Sequence, residues 1–176
     1  MRVKLVSSVG FTPEETIKLI KATELLEKVW NSHEFEYKVL NFSFPYKPHW
    51  WSSTRRMNNF RMSAGLSNQG VYEKLMKCAE RLDPIPDEEM EIELTIDRRN
   101  AGDVLGYTYS STRMQWIYAS FFGRATLADI AGNLAHEYCH KLGFEHEFER
   151  TSTRQYTVPY GVGYIVKELA VTYGKA

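Results

Sequence analysis

Apolar and polar residues recur along this chain at two spacings, about 3.6 and 2 residues, and these divide it into helices and strands. Residues 3–6 form a short apolar run that predicts a strand. Thr12-Pro13-Glu14-Glu15 then opens a helix, with Thr12 as N-cap, Pro13 at the first helical position and Glu15 closing a capping box. Ile17, Ile20, Leu25, Leu26, Val29 and Trp30 continue it at helical spacing, and Asn31-Ser32 ends it. Residues 35–44 are rich in aromatic and β-branched side chains and predict a second strand, with a phase shift near Leu40 that suggests a bulge. Val71, Leu75, Cys78, Ala79 and Leu82 share one helical face, and Asp83-Pro84-Ile85-Pro86-Asp87 stops that helix. Met90, Ile92, Leu94 and Ile96 alternate strictly with polar residues, as in a half-buried strand.

Two more strands are expected at 104–109 and 115–122, a helix at 126–142 capped by Thr126 with Asp129 at its third position, and a final helix at 163–173. Between 45 and 66 the pattern fails. Pro45, Pro48, Trp50 and Trp51 are followed by Arg55, Arg56 and Arg61 around Asn58-Asn59, which reads as a long loop or insertion. The expected fold class is therefore mixed α/β, a single domain over 1–176 with no repeat and no linker.

Composition narrows the classes of function. With 43% apolar and 25% charged residues, the chain of 176 has material for a real core and is not disordered in bulk. Lys plus Arg equals Asp plus Glu at 22 each, which disfavours nucleic acid and anionic lipid as partners because no net field draws them. The Arg55–Arg61 stretch is the one feature that would serve such a partner, although packing of its tryptophans over a small core is the plainer reading. Cys78 and Cys139 cannot make a disulfide framework, and both read as buried small hydrophobes. No apolar run reaches the roughly 20 residues that span a bilayer, and the start has no signal-peptide pattern. A cytoplasmic location is expected, and release by a non-standard route would leave the same sequence. Nothing in the pattern fixes an oligomeric state.

Chemistry concentrates in one place. Three of the five histidines fall in His136-Glu137-Tyr138-Cys139-His140-Lys141-Leu142-Gly143-Phe144-Glu145-His146, which reads H-E-x-x-H-x-x-G-x-x-H. On a helix, His136 and His140 stand about 40° apart around the axis and one turn apart along it, so both imidazoles can reach one tetrahedral Zn²⁺. Glu137 beside the first ligand is placed to reach a water rather than the metal. Were the helix to continue, His146 would point about 240° from His140 and lie about 9 Å further on. A glycine that takes φ > 0 at no steric cost lets the chain reverse at Gly143 and return His146 to the ion. Three neutral imidazoles leave a fourth position for water, the layout of a catalytic site. Multiplying this chain's residue frequencies over its length, the five fixed residues would co-occur by chance about 2 times in 100,000, so an accidental grouping is the weaker reading. His33 and His49 have no partners at ligand spacing.

The extended motif resembles the signature of the metzincin clan of zinc metallopeptidases. The resemblance implies a zincin fold: a mixed twisted sheet, an active-site helix and a C-terminal helix, with the strands at 104–109 and 115–122 leading into the helix from Thr126. It implies a zinc-dependent endopeptidase that hydrolyses peptide bonds in a protein or peptide substrate, with His136, His140 and His146 as ligands and Glu137 as general base. The edge strand would pair with an extended peptide, so Leu105, Gly106 and Tyr107 are the substrate-binding candidates. Tyr160 is a candidate second donor to the developing oxyanion, or a tyrosine packed under the site. Glu145, Glu147 and Glu149 read as solvated charge, with orientation of a ligand ring as the alternative. The chain departs from the family in one respect: metzincins carry a methionine in a tight turn beneath the zinc, whereas the last methionine here is Met114, upstream of the motif. Thr157-Val158-Pro159-Tyr160-Gly161 is the expected replacement, with Val158 or Pro159 as the apolar floor. The alternatives are a zinc-stabilised binding module with weak or no activity, and a protease acting on nucleic-acid-associated proteins.

Overall fold

The structure is a computed structural model and describes residues 1–42, 66–99, 102–146, 151–152 and 154–175. The expected loop at 45–66, with its tryptophans, arginines and His49, lies outside the described residues except for Leu66, as do Glu147 and Glu149. The described residues form a mixed α/β arrangement of a four-stranded sheet and six α-helices. In chain order these are β1 (Arg2–Val9), α1 (Pro13–Trp30), α2 (His33–Asn41), α3 (Asn68–Lys77), β2 (Glu89–Asp97), β3 (Gly106–Thr108), β4 (Met114–Tyr118), α4 (Ala119–Arg124), α5 (Leu127–Lys141) and α6 (Val158–Tyr173).

The sheet order is β1-β2-β4-β3, with β1, β2 and β4 parallel and β3 antiparallel at one edge. Its two faces differ. Met90, Ile92, Leu94 and Ile96 of β2 and Gln115 and Ile117 of β4 are buried beneath the helices. The other face carries charged and aromatic side chains, among them Lys4 paired with Glu91 and Tyr107 stacked on Trp116 with centroids 5.1 Å apart.

Helix α5 lies between α1 and α6 and is buried on nearly all sides, which is why its sequence is apolar around most of its circumference. Thr126 caps it as expected: its hydroxyl accepts from the Asp129 N–H while the Asp129 carboxylate accepts from the Thr126 N–H. Thr12 and Glu15 do the same for α1. Among the described residues no helix is long and apolar enough to cross a membrane.

Five expectations need correction. Residues 35–44 do not form a strand: α2 covers most of them, because Ser32 caps the Phe35 N–H and Phe35 and Val39, four apart, bury one helical face. Phe35 stacks on Trp30 at 4.8 Å, a contact whose burial outweighs the β propensity of the segment. The helix expected to run to Leu82 ends at Lys77, where Cys78 takes a left-handed conformation at φ 50° while staying buried, and Leu82 is exposed. On α1, Ile17 and Ile20 match the helical period but face outward, 56% and 42% exposed. The strand expected at 115–122 stops at Tyr118 and passes into α4. The last helix starts at Val158 rather than Gly163, so the segment expected as a tight turn is the N-cap and first turn of α6. Pro159 within that first turn is compatible with a helix start, since its missing N–H would have had no intrahelical partner.

Candidate metal centre

The first two ligand candidates sit on the last turns of α5, and what happens next decides the third. Leu142 is the C-cap, Gly143 follows at φ +88°, and two bonds close the end: Gly143 N–H to the His140 carbonyl at 3.1 Å and Phe144 N–H to the Cys139 carbonyl at 3.0 Å. That pair is a Schellman motif, which needs a left-handed residue at the position glycine holds. Phe144 and Cys139, the positions whose apolar contact often accompanies this motif, are both buried. The chain turns back, and His146 comes to face the helix it has just left.

The three rings converge. Ring centroids of His136 and His140 are 5.2 Å apart, His136 and His146 5.2 Å, and His140 and His146 4.9 Å. One nitrogen from each lies within 4.8 Å of the other two, so they could hold a metal ion. Nitrogens around one tetrahedral zinc stand roughly 3.4 Å apart at 2.1 Å bond lengths, a separation that ring rotation can supply.

The donor set suits such an ion. His140 Nδ1 lies 2.8 Å from the Phe144 carbonyl oxygen; an N–H there leaves Nε2 with its lone pair as the ligand atom. His136 bonds the backbone of Pro159, which has no N–H, so the ring must donate and its other nitrogen is the free acceptor. Burial, followed by the neighbouring His140 and His146 rings, holds His136 well below the usual histidine range and keeps it neutral. Burial opposes charge on His140 too, but Glu145 and Glu137 outweigh it and raise its pKa. Glu145 Oε2 is 3.4 Å from His140 Nδ1, so this carboxylate is not simply solvated: it stands against the ring of a ligand candidate, as the alternative reading of that residue has it.

Glu137 is 5% exposed, and burial pushes its carboxyl up to about 7. A carboxyl poised near neutrality can both take and return a proton. The Tyr160 ring lies 4.5 Å from His136 and 4.9 Å from His146, with the Arg154 guanidinium carbon 5.1 Å from its centroid. Val158 and Pro159, the expected floor, are buried in the first turn of α6.

The edge strand lies along the same helix. Tyr118 N–H donates to the Leu105 carbonyl at 3.0 Å, and antiparallel alternation then turns the N–H and C=O groups of Leu105 and Tyr107 toward β4. Gly106 and Thr108 turn theirs to the open edge. Of the three substrate-binding candidates, Gly106 alone offers main-chain groups there, and Thr108, within the strand expected at 104–109, offers the next pair. Gly106 is also sterically required: a Cβ would stand 2.6 Å from the Trp116 carbonyl oxygen and 2.9 Å from Asn133 Oδ1. Asn133 is one turn before Glu137 on α5, so the edge strand rests on the helix that bears the first two ligand candidates.

Comparisons with protein families, with characterised proteins and with solved structures gave no match to this chain.

Proposed function

We propose that the chain is a zinc-dependent endopeptidase of metzincin type. The observation that carries this reading is the return of His146 to His136 and His140 through the left-handed Gly143, with Glu137 buried beside the first ligand. Further support comes from the order of β3, β4 and α5 and from an antiparallel edge strand lying against the helix that bears the histidines.

His136, His140 and His146 would hold the ion, with the Pro159 and Phe144 carbonyls and Glu145 fixing two of the rings. Zinc, when bound, supplies Lewis acidity and an acidified water. Glu137 takes a proton from the attacking water and delivers it to the leaving amine, a cycle matched to a carboxyl near neutrality. Gly106 and Thr108 present alternate main-chain donors and acceptors to an extended peptide, which aligns the scissile bond with little demand on its sequence. Tyr160 is the candidate for a second hydrogen bond to the developing oxyanion.

Replacing Glu137 with Gln tests the assignment. The variant keeps its zinc and loses hydrolysis by at least about 100-fold, the range expected when a general base is removed. A variant that cleaves as well as the parent would overturn the mechanism. A parent that folds and takes up no zinc would overturn the site.

A further inference from the structure

Lys141 follows the second ligand candidate directly, and its ammonium acts on Glu137 through space without an ion pair to it. The lysine is 6% exposed and has no carboxylate partner among the described residues. Its ammonium instead meets three main-chain carbonyls of one segment: Thr112 at 2.5 Å, Met114 at 3.0 Å and Tyr109 at 3.3 Å. An ammonium has three N–H donors, and these three acceptors use them all.

The Tyr109 and Thr112 carbonyls belong to the connection between β3 and β4, and Met114 opens β4. The segment is also held by its own short bonds, Met114 N–H to Thr112 Oγ1 at 3.1 Å and Thr108 Oγ1 to the Met114 carbonyl at 2.8 Å, and by Arg113, which pairs with Asp83 at 2.8 Å and Glu91 at 3.3 Å on its exposed side. Strand β3 has three residues, too few to fix its own register firmly. Two contacts with α5 fix it from outside. Gly106 rests on Asn133 at one end, and the connection closes on Lys141 at the other. From residue 133 to residue 141 is roughly 12 Å along a helix, and His136, Glu137 and His140 fall between. The helix that bears the candidate ligands therefore also gauges where the edge strand lies.

We propose that Lys141 is a positioning residue for the peptide substrate, holding the β3–β4 connection so that the open edge of β3 runs at a fixed height over the His136–His140 stretch. This rests on the peptidase reading above. Lys141 touches neither ion nor substrate. It acts through the carbonyls of Tyr109, Thr112 and Met114 on the main-chain groups of Gly106 and Thr108.

The test compares the zinc-loaded parent with Lys141→Met and Lys141→Arg. Met keeps the apolar stem and removes all three donors. Arg keeps the charge, and with it the fold if Met does not fold, but its planar fork cannot direct three bonds from one nitrogen. Two readouts are taken: amide hydrogen exchange of residues 105–109, and steady-state cleavage of a long peptide that spans the strand alongside an amide too short to reach it. Both variants should hold zinc as the parent does and exchange these amides about ten-fold faster or more. In Lys141→Arg, which keeps the charge that acts on Glu137, KM for the long peptide should rise about ten-fold with kcat little changed, and the short amide should be cleaved at the parental rate. Exchange unchanged in a folded variant overturns the proposal. So does a loss in Lys141→Arg that is equal for long and short substrates, which would mean that Lys141 acts through the metal centre. If the parent cleaves neither substrate, the peptidase reading has failed, and the exchange arm still decides whether Lys141 fixes the strand.

Discussion

Gly132 on α5 and Gly163 on α6 meet backbone to backbone. A Cβ on Gly132 would stand 2.8 Å from the Gly163 carbonyl oxygen, and a Cβ on Gly163 would stand 3.0 Å from the Gly132 carbonyl oxygen and 3.2 Å from His136 Cβ. The two helices cross at this point with no side chain between them. That closeness brings the first turn of α6, with Pro159 and Tyr160, up to the His136 ring.

Gly132→Ala should therefore act at a distance. The obstructing atom is main chain and cannot rotate away, so α6 must shift, at a cost of about 1–3 kcal/mol for overpacking a tight contact. Better helix propensity returns up to about 1 kcal/mol of this, so the net loss is modest while the displacement remains. The expected outcome is a small fall in melting temperature together with weaker zinc binding, because the Pro159 carbonyl moves off His136. Calorimetric titration with zinc checks it, and parental affinity would show that the crossing does not tune the site.

The metal itself should appear as a stability term. Binding to the folded chain alone raises its stability by about 2.7 kcal/mol when free zinc is 100 times the dissociation constant. Thermal melting of the parent should shift upward with zinc. His146→Ala should lose most of that shift, and His33→Ala, an exposed residue far from the cluster in sequence, should keep it. A His146→Ala protein that is stabilised as strongly as the parent would remove the third ligand from the scheme.

How much of this was readable in the chain varies with the physics involved. The convergence of the three histidines was legible because helix geometry and one glycine suffice to say where they meet. Helix α5 and strand β2 were legible because their caps and periods agree with their burial. Residues 35–44 were not, since Phe35, Tyr37, Val39 and Phe42 suit either period, and the contact of Phe35 with Trp30 that settles the matter is tertiary. Ile17 and Ile20 lie on the helical period without lying on the buried face, because a period gives spacing and the packing partner gives direction. The contacts of Lys141 and Asn133 were invisible: they are made to main-chain atoms of a distant hairpin, which leave no mark in residue type.

Gly143 carries a prediction that separates conformation from chemistry. Nothing lies within 4 Å of a Cβ built there, so its need is purely for φ +88°. Gly143→Ala should cost about 1–2 kcal/mol of stability, the usual cost of left-handed backbone for an L residue. Gly143→Asn should cost less, since Asn visits that region more readily. If the Schellman turn is what returns His146, zinc affinity should fall in the same order, with Asn between Gly and Ala. Equal affinities across the three proteins would detach the turn from the site.

Acid should weaken the fold through Asp129. Burial pushes this carboxyl up, but the Lys167 ammonium at 2.7 Å and the bonds from Thr126 outweigh it and bring the pKa from 3.8 down to about 2. The folded chain thus binds fewer protons at this group than the unfolded chain between those values. The resulting stability is present in full above about pH 4 and is lost as the pH falls toward 2. With the carboxylate about a quarter exposed, the contribution is of the order of 1–2 kcal/mol. Asp129→Asn keeps an acceptor for the Thr126 N–H and removes the charge that ties the start of α5 to α6. Urea unfolding of parent and variant should therefore differ by about that amount at neutral pH and coincide near pH 2. A gap of the same size at both would mean that shape rather than charge is what Asp129 supplies.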